Sequence, residues 1–190
     1  MELIFASHNE NKVEEIKTIL PSNFKLKSLT DLDFKTEIEE NGTTLEENAL
    51  IKAQTIFNTF NKNCFADDSG LEVFALNGQP GVISARYAGN HKNTQDNMDK
   101  LLKELNGIND RRAQFRTVIA LIVNGKKHLF EGIIKGKISE IALGKNGFGY
   151  DPIFIPENHD FSFAQLTPSE KNKISHRARA FEKLVEFLKS

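Results

Sequence analysis

Apolar residues along the chain fall into short runs and helix-like repeats that polar turns separate. Residues 2–7 form an apolar run that predicts a buried strand, and a polar loop follows at residues 7–11. From Val13 to Leu20 apolar residues recur every three or four positions, and Pro21 follows, which predicts a helix and its end. Residues 24–29 alternate apolar and basic side chains, which predicts a strand with one face in water. The chain therefore opens as strand, loop, helix and strand.

A second helix and strand are predicted further along. Two overlapping capping boxes, which begin at Thr43 and Thr44, precede apolar residues at helical spacing, so we expect a helix near residues 44–60. Residues 64–66 predict a strand that ends where a polar sequence begins, and an apolar pattern resumes at residues 71–76.

The rest of the chain combines a hairpin with further helices. Helical spacing predicts a helix that ends at Asn106-Gly107 and a C-terminal helix over residues 181–188. The β-rich residues 115–123 and 129–134 flank Asn124-Gly125, a dipeptide that strongly favours a tight hairpin. Because an antiparallel hairpin occurs among strand–helix units, we predict an α/β fold with a mixed sheet.

Composition narrows the possible partners. The 190 residues carry 25 Lys and Arg against 26 Asp and Glu, a balance that does not favour nucleic acid or an anionic membrane as partner. No apolar run approaches the roughly 20 residues of a bilayer span, and no signal-peptide pattern is found, so we expect one cytoplasmic domain over residues 1–190. The single cysteine, Cys64, excludes an internal disulfide and a cysteine-rich metal site.

A first polar cluster joins the first strand to the first helix. It consists of Ser7, His8, Asn9, Glu10, Asn11 and Lys12. Its hydroxyl and ammonium groups, beside the N–H groups of a helix start, suit phosphate oxygens. The alternative is a polar turn that only caps the helix.

A second cluster follows the strand predicted at residues 64–66. Asp67 and Asp68 are adjacent carboxylates, which repel each other unless a cation or a proton relieves them. Mg²⁺ is the natural cation, since it combines a few carboxylates with water and substrate phosphates. The alternative is an acidic turn in which Gly70 adopts a positive φ.

Two further clusters are charged. An acidic stretch surrounds Glu39-Glu40-Asn41-Gly42, and one of its carboxylates could join the aspartates at a metal, whereas most belong to a solvated surface. Residues 171–179 are basic and lie just ahead of the last helix or at its start, where the macrodipole disfavours cations, which suggests a bound anion. The alternative is a solvated basic face.

A loop rich in glycine and aromatic residues completes the set. Phe148-Gly149-Tyr150-Asp151-Pro152 can stack on a planar base, or it is a tight connection only. Phosphate donors, an acidic metal-binding group, a ring platform and a second basic group together fit a nucleotide polyphosphate.

Longer motifs contain these clusters in a fixed order. They are Ser7-x-Asn9-x-x-Lys12, Glu40-x-Gly42-x-x-x-x-Glu47-Asn48-Ala49, Ala66-Asp67-Asp68-Ser69-Gly70-Leu71, Gly78-x-Pro80-Gly81, Ser84-Ala85-Arg86-Tyr87, Gly147-Phe148-Gly149-Tyr150-Asp151-Pro152 and Ile174-Ser175-His176-Arg177. Over nearly the whole chain the sequence resembles the inosine triphosphate pyrophosphatase family. One departure is His8, where that family usually has Gly.

The resemblance implies a structure and a reaction. The fold implied is an elongated mixed sheet flanked by helices, in two lobes with a nucleotide cleft between them, and usually a homodimer. The reaction implied is Mg²⁺-dependent cleavage of dITP, ITP or XTP between the α- and β-phosphates, which gives the nucleoside monophosphate and pyrophosphate. Asp68 resembles the general base, and Glu40 with Asp68 resembles the magnesium-binding pair. The positions that match substrate contacts are Ser7, His8, Asn9, Glu10, Asn11, Lys12, Ser69, Phe148, Gly149, Tyr150, Asp151, Lys171, His176 and Arg177.

The resemblance also suggests how the enzyme would select the purine base, and two other functions remain as alternatives. Hypoxanthine and xanthine carry a carbonyl at C6, so donors such as His176 and Arg177 would bind O6 and N7, whereas adenine would leave a buried donor unpaired. One rival is a phosphatase that releases orthophosphate with the same acidic group and metal. The other is a nucleotide-binding regulator without turnover.

Overall fold

The computed structural model describes residues 1–189, in which strands and helices alternate over the first half of the chain. The strands are β1 (Glu2–Phe5), β2 (Lys25–Ser28), β3 (Cys64–Val73), β4 (Arg112–Val123), β5 (Lys126–Ile138) and β6 (Phe154–Pro156). The α-helices are α1 (Glu10–Ile19), α2 (Leu45–Phe60), α3 (Thr94–Glu104), α4 (Pro168–Ile174) and α5 (His176–Lys189). None of the helices within residues 1–189 has the length and apolar character that a membrane span requires.

The strands form one mixed sheet in the order β2-β1-β3-β4-β5-β6. β1 pairs in parallel with β2 and with β3, whereas β5 pairs antiparallel with β6. The α/β class and the mixed sheet predicted from the sequence are therefore confirmed.

The predicted hairpin connects β4 to β5. Asn124 and Gly125 have φ values of 50° and 74°, the left-handed conformation that a two-residue turn of this type requires at both positions. The second strand of the hairpin is longer than predicted, because β5 continues to Ile138 through residues that alternate between buried and exposed positions.

Side-chain caps set the starts of the first two helices. The side chain of Asn9 accepts a hydrogen bond from the Lys12 N–H, so α1 begins within the stretch predicted as a polar loop. The Thr44 hydroxyl accepts from the Glu47 N–H, and α2 begins at Leu45 as the capping boxes predicted.

β3 differs from its prediction. It continues through Asp67 and Asp68, so the expected strand end at residue 66 is wrong. The acidic-turn alternative is also wrong, because Gly70 does not adopt a positive φ. Glycine is required there for a different reason: a Cβ on Gly70 would lie 2.5 Å from the carbonyl oxygen of Gly81.

The chain divides into two compact units, each with its own apolar core. The first unit contains Met1–Asp68, Thr117–Gly132 and the chain from Arg177 onward, and the second contains Ser69–Arg116 and Ile133–His176. The core of the first unit includes Leu3, Phe5, Val13, Ile16, Phe65, Ile119, Leu121, Phe181 and Leu184. The core of the second includes Leu71, Val73, Met98, Leu101, Phe115, Ile138, Ile153, Phe154 and Phe163.

Candidate active site

The predicted site residues belong to both units, and the contacts within each unit are described separately. The first unit contains Ser7, His8, Asn9, Glu10, Asn11, Lys12, Glu40, Asp68 and Arg177. The second contains Ser69, Phe148, Gly149, Tyr150, Asp151, Lys171 and His176.

Asp67 is the centre of a buried ion-pair network in the first unit. Its carboxylate oxygens lie 3.0 and 2.9 Å from the Lys12 ammonium, and it accepts a hydrogen bond of 3.1 Å from Nε of Arg177. Nη1 of Arg177 also donates to Glu15 on α1. Because α1, β3 and the start of α5 each contribute a side chain, this network fixes three elements around the base of the first polar cluster.

Burial and opposite charges act against each other within this network. Burial alone would raise the pKa of the Asp67 carboxyl, but the positive charges of Lys12 and Arg177 hold that pKa well below its usual value. Burial lowers the pKa of the Lys12 ammonium, although Asp67 partly offsets this effect. Asp67 is therefore a fixed anion, and Lys12 is a desolvated cation held on it.

Asp68 contacts a different set of residues, in keeping with the alternation of side chains along a strand. Nδ2 of Asn48 donates to Asp68 at 3.1 Å, and Nζ of Lys52 lies 3.6 Å from the same carboxylate. The Lys52 ammonium also donates to Glu40 at 2.7 Å. Asn48 and Lys52 are one turn apart on α2, so this helix presents both to Asp68.

Glu40 and Asp68 differ in their electrostatics. Burial raises the pKa of Asp68, and the positive charges of Lys52 and Lys12 offset that rise only in part. For Glu40, burial also acts to raise the pKa, but Lys52 outweighs it and the pKa is lowered. The pKa of Lys52 is raised because Asp68 and Glu40 outweigh its own burial. Asp68 is thus the more basic of the two carboxylates, and Glu40 is the more acidic.

The carboxylates of Glu40 and Asp68 are suitable ligands for a divalent cation such as Mg²⁺, which can also bind substrate phosphates. Glu40 and Asp68 both contact one cationic group, the Lys52 ammonium, so the two carboxylates converge on a single position. Within residues 1–189, no three His, Cys, Asp or Glu side chains form a group that could hold a metal ion. Two carboxylates, with water and substrate phosphates as the remaining ligands, are what Mg²⁺ commonly uses.

The first polar cluster is a turn stabilised by its own side chains. The Asn9 N–H donates to the Ser7 hydroxyl at 3.2 Å, and the Lys12 N–H donates to the Asn9 side chain. The Glu10 carboxylate accepts from the Thr30 hydroxyl at 2.7 Å. Ser7, Asn9 and the first residues of α1 therefore have a defined backbone geometry, with the side chains of residues 8–11 exposed.

In the second unit, Lys171 and Asp151 form a buried ion pair. Nζ of Lys171 donates to Asp151 at 2.7 Å, and the same carboxylate accepts from the Phe148 N–H at 2.8 Å. The Lys171 ammonium also lies 4.7 Å from the centre of the Phe148 ring. The loop of residues 148–151 is thus attached to α4, an element that the sequence pattern did not predict.

His176 and Tyr150 are also held by named partners. The His176 ring stacks on Phe115, with centroids 4.6 Å apart and an interplanar angle of 9°. The Tyr150 hydroxyl donates to the Ser84 carbonyl at 2.9 Å, which links two of the quoted motifs. Ser69 lies in β3 and is half-buried.

Three residues of these networks were not predicted from the sequence: Glu15, Asn48 as a partner of Asp68, and Lys52. A signal for Lys52 was present, because it interrupts the apolar stripe that includes Ala49 and Ala53 on α2. A lysine within such a stripe, one turn after a polar Asn48, indicates a buried ion pair. Glu15 offers no comparable signal, since it lies on a helix with two exposed carboxylates, Glu10 and Glu14.

Comparisons with known proteins agree with the resemblance drawn from the sequence. A model of the Ham1 family matches residues 3–187. The dITP/XTP pyrophosphatase of Flavobacterium psychrophilum is 52% identical over 190 residues, which is 100% of both chains. The dITP/XTP pyrophosphatase of Bacillus subtilis is 49% identical over 193 residues, which cover 100% of this chain and 98% of that protein. Among solved structures, the Ham1 protein of Staphylococcus aureus has a TM-score of 0.90 at 43% identity, and the match covers 100% of this chain and 98% of that chain.

Proposed function

Because this chain belongs to the Ham1 family, we propose that it hydrolyses the purine nucleoside triphosphates dITP, ITP and XTP to the nucleoside monophosphate and pyrophosphate. The observation that carries the proposal is that the carboxylates of Glu40 and Asp68 both contact the Lys52 ammonium, and so lie close enough to share a cation. Hydrolysis of this kind removes hypoxanthine and xanthine nucleotides from the nucleotide pool.

Asp68 is the general base in this proposal. It accepts a proton from the attacking water, the water oxygen forms a bond to phosphorus, and the anhydride bond between the α- and β-phosphates breaks. The raised pKa of Asp68, which burial causes, makes it a better proton acceptor than an exposed carboxylate. Asn48 supports this role because its hydrogen bond fixes the orientation of the carboxylate.

Glu40 and Asp68 are the proposed ligands of Mg²⁺. When bound, Mg²⁺ would neutralise phosphate charge and lower the pKa of a bound water. Lys52 supplies a positive charge at the same two carboxylates, and we propose that it also stabilises phosphate oxygens of the substrate.

Lys12, Lys171 and the turn at residues 7–11 are the proposed phosphate-binding groups. Each of the two ammonium groups is already paired with a buried aspartate, Asp67 or Asp151. An ammonium has three N–H donors, so each lysine can keep its carboxylate partner and still donate to a phosphate oxygen. The aspartates would then hold the two lysines in place before substrate binds, which reduces the ordering cost of binding.

His176 and residues 148–151 are proposed to recognise the base. The Phe148 ring provides a face for stacking, and the His176 ring is kept in one plane by Phe115. Nε and Nη1 of Arg177 donate to Asp67 and Glu15, so this arginine also maintains the network around Lys12. Its contact with O6 or N7 of a base stays a prediction, together with the substrate contacts of Ser69.

The test is a panel of initial rates on dITP, XTP, dGTP and dATP, with Mg²⁺ or with excess EDTA. Pyrophosphate and orthophosphate are assayed separately in every reaction. We expect pyrophosphate from dITP and XTP only, and none in EDTA. Equal rates on all four nucleotides would contradict the base selection, and full activity in EDTA would contradict the metal.

The expected oligomeric state comes from the family resemblance, whereas the expected compartment and partners come from the composition and charge of the chain. We expect a homodimer in the cytoplasm, with a small-molecule nucleotide as its partner and neither nucleic acid nor membrane. Light scattering after size exclusion at micromolar concentration measures the first expectation, and a mass close to 21.4 kDa would contradict it, since that is the mass of one chain.

A further inference from the structure

The segment that carries Glu40 has no regular secondary structure. Residues 34–42, called the strap below, connect the turn after β2 to the start of α2. At its C-terminal end the strap is fixed twice: Glu40 accepts from Lys52, and the Gly42 N–H donates to Asn48 at 2.8 Å. Asn48 and Lys52 also hold Asp68, so the end of the strap and Asp68 share the same two partners on α2.

At its N-terminal end the strap is fixed by His8. Nε2 of His8 lies 3.1 Å from the carbonyl oxygen of Thr36. A carbonyl oxygen only accepts hydrogen bonds, so Nε2 carries the hydrogen and donates. The His8 ring lies nearly parallel to the Phe34 ring, with centroids 6.1 Å apart, and Phe34 packs edge-on against Phe60 at the end of α2.

We propose that His8 is a positioning residue for Glu40, because its ring and its Nε2–H hold the strap at Phe34 and Thr36. The inference rests on the proposed function, in which Glu40 is a metal ligand. It assigns a role to the side chain of His8 beyond the phosphate-binding turn to which this residue belongs.

The physical basis is the entropy of a short irregular segment. Thr36 is four residues from Glu40, and the strap has no ladder or helix to restrict it. Without the hydrogen bond at Thr36, the Glu40 carboxylate samples more conformations, and a metal must order it on binding. One hydrogen bond of this kind changes affinity by roughly three- to tenfold.

The experiment compares wild type, His8→Ala and His8→Gln by amide hydrogen exchange and by kinetics. Gln carries an N–H donor the same number of bonds from Cβ as Nε2 of His, so it can restore the bond to Thr36 without the ring. His159→Ala is the matched control, because His159 is a half-buried histidine that also contacts a backbone carbonyl, that of Glu157, in the second unit.

We expect faster exchange of the amides of residues 36–42 in His8→Ala, with unchanged exchange in the middle of α2. We also expect a roughly three- to tenfold rise in the Mg²⁺ concentration for half-maximal rate, which exceeds the fall in kcat. His8→Gln should recover most of both changes, and His159→Ala should match wild type.

Three results would overturn the role of His8. The first is unchanged exchange in the strap of His8→Ala, and the second is an equal effect in His159→Ala. The third is a fall in kcat with no change in Mg²⁺ dependence. Failure of the proposed function gives a different result, since the wild-type protein would then release no pyrophosphate from dITP or XTP. The exchange measurement needs neither metal nor nucleotide, so it tests the contact in either case.

Discussion

Two adjacent aspartates in one strand have opposite electrostatic environments. Asp67 is paired with Lys12 and Arg177 and has a lowered pKa, whereas Asp68 shares Lys52 with Glu40 and has a raised pKa. Pairs of carboxylates whose pKa values are driven apart commonly divide an ionic role from a proton-transfer role. The residue pattern predicted that the two carboxylates repel each other, and the family resemblance pointed to Asp68 as the base. The charges that separate their pKa values could not be predicted, because the partners come from α1, α2 and α5.

Asp68→Asn should lower kcat for dITP by at least about 100-fold, the smaller end of what a general base contributes. The melting temperature should not fall, because burial makes the charged form of Asp68 unfavourable and the amide carries no charge. Steady-state kinetics and a thermal melt of the same preparation measure both quantities. Asp99→Asn, an exposed change on α3, is the control. A kcat within a few-fold of wild type would remove Asp68 as the base.

Asp67→Asn should destabilise the protein by about 3–5 kcal/mol at pH 7, because it removes a carboxylate partner of Lys12 and of the buried Arg177, which keeps its pair with Glu15. The lowered pKa of Asp67 means that its contribution is present above its unfolded value near 3.8 and is lost as the pH falls below it. The difference in unfolding free energy between wild type and variant should therefore shrink from pH 5 to pH 3. Urea unfolding at several pH values measures it.

The control for this change is Asp33→Asn, which removes an exposed pair with Lys35. We expect a change of under about 0.5 kcal/mol for it, since exposed ion pairs contribute little. A difference between wild type and Asp67→Asn that is constant with pH would contradict the assignment of Asp67 as the buried anion.

At the scale of elements, α2 connects local sequence signals to the site. Its capping boxes predicted where it begins, and its apolar stripe predicted which face is buried. Asn48 and Lys52 lie on one side of this helix because they are four residues apart, but their shared partner Asp68 could not be predicted from the helix alone. The boundaries of β3 could not be predicted in this way, since adjacent carboxylates in a strand require charges from distant parts of the chain.

Thr44→Ala should lower the free energy of unfolding by about 1 kcal/mol, because the Thr44 hydroxyl caps the Glu47 N–H at the start of α2. Denaturant unfolding at pH 7 measures the change. Thr59→Ala is the matched control: Thr59 lies on the same helix but near its C-terminal end, where its hydroxyl donates to the Thr55 carbonyl. An equal loss in both variants would show that the cap is not the cause.

The short elements α4 and β6 were not predicted from the sequence pattern. α4 has seven residues and β6 has three, so neither is long enough for a periodic pattern to emerge. α4 nevertheless carries Lys171, which the family resemblance identified and the periodicity did not. Motif spacing and hydrophobic periodicity therefore predicted different parts of the molecule.

At the scale of the whole molecule, long-range contacts determine the environment of Asp67, the buried anion next to the candidate base. Arg177 and Asp67 are 110 positions apart in the chain, and Lys12 and Asp67 are 55 apart. No local pattern predicts such pairs, whereas the order of motifs along the chain identified the residues without their partners. The fold class and the hairpin could thus be predicted from the sequence, and the ion-pair networks could not, while the roles of the site residues stay predictions.

The position of bond cleavage tests the central claim most directly. Purified protein is incubated with dITP and Mg²⁺, and the products are followed by ³¹P NMR. The account predicts dIMP and pyrophosphate in equal amounts, with no dIDP at any time. Formation of dIDP and orthophosphate would contradict it and would identify a phosphatase that removes the terminal phosphate.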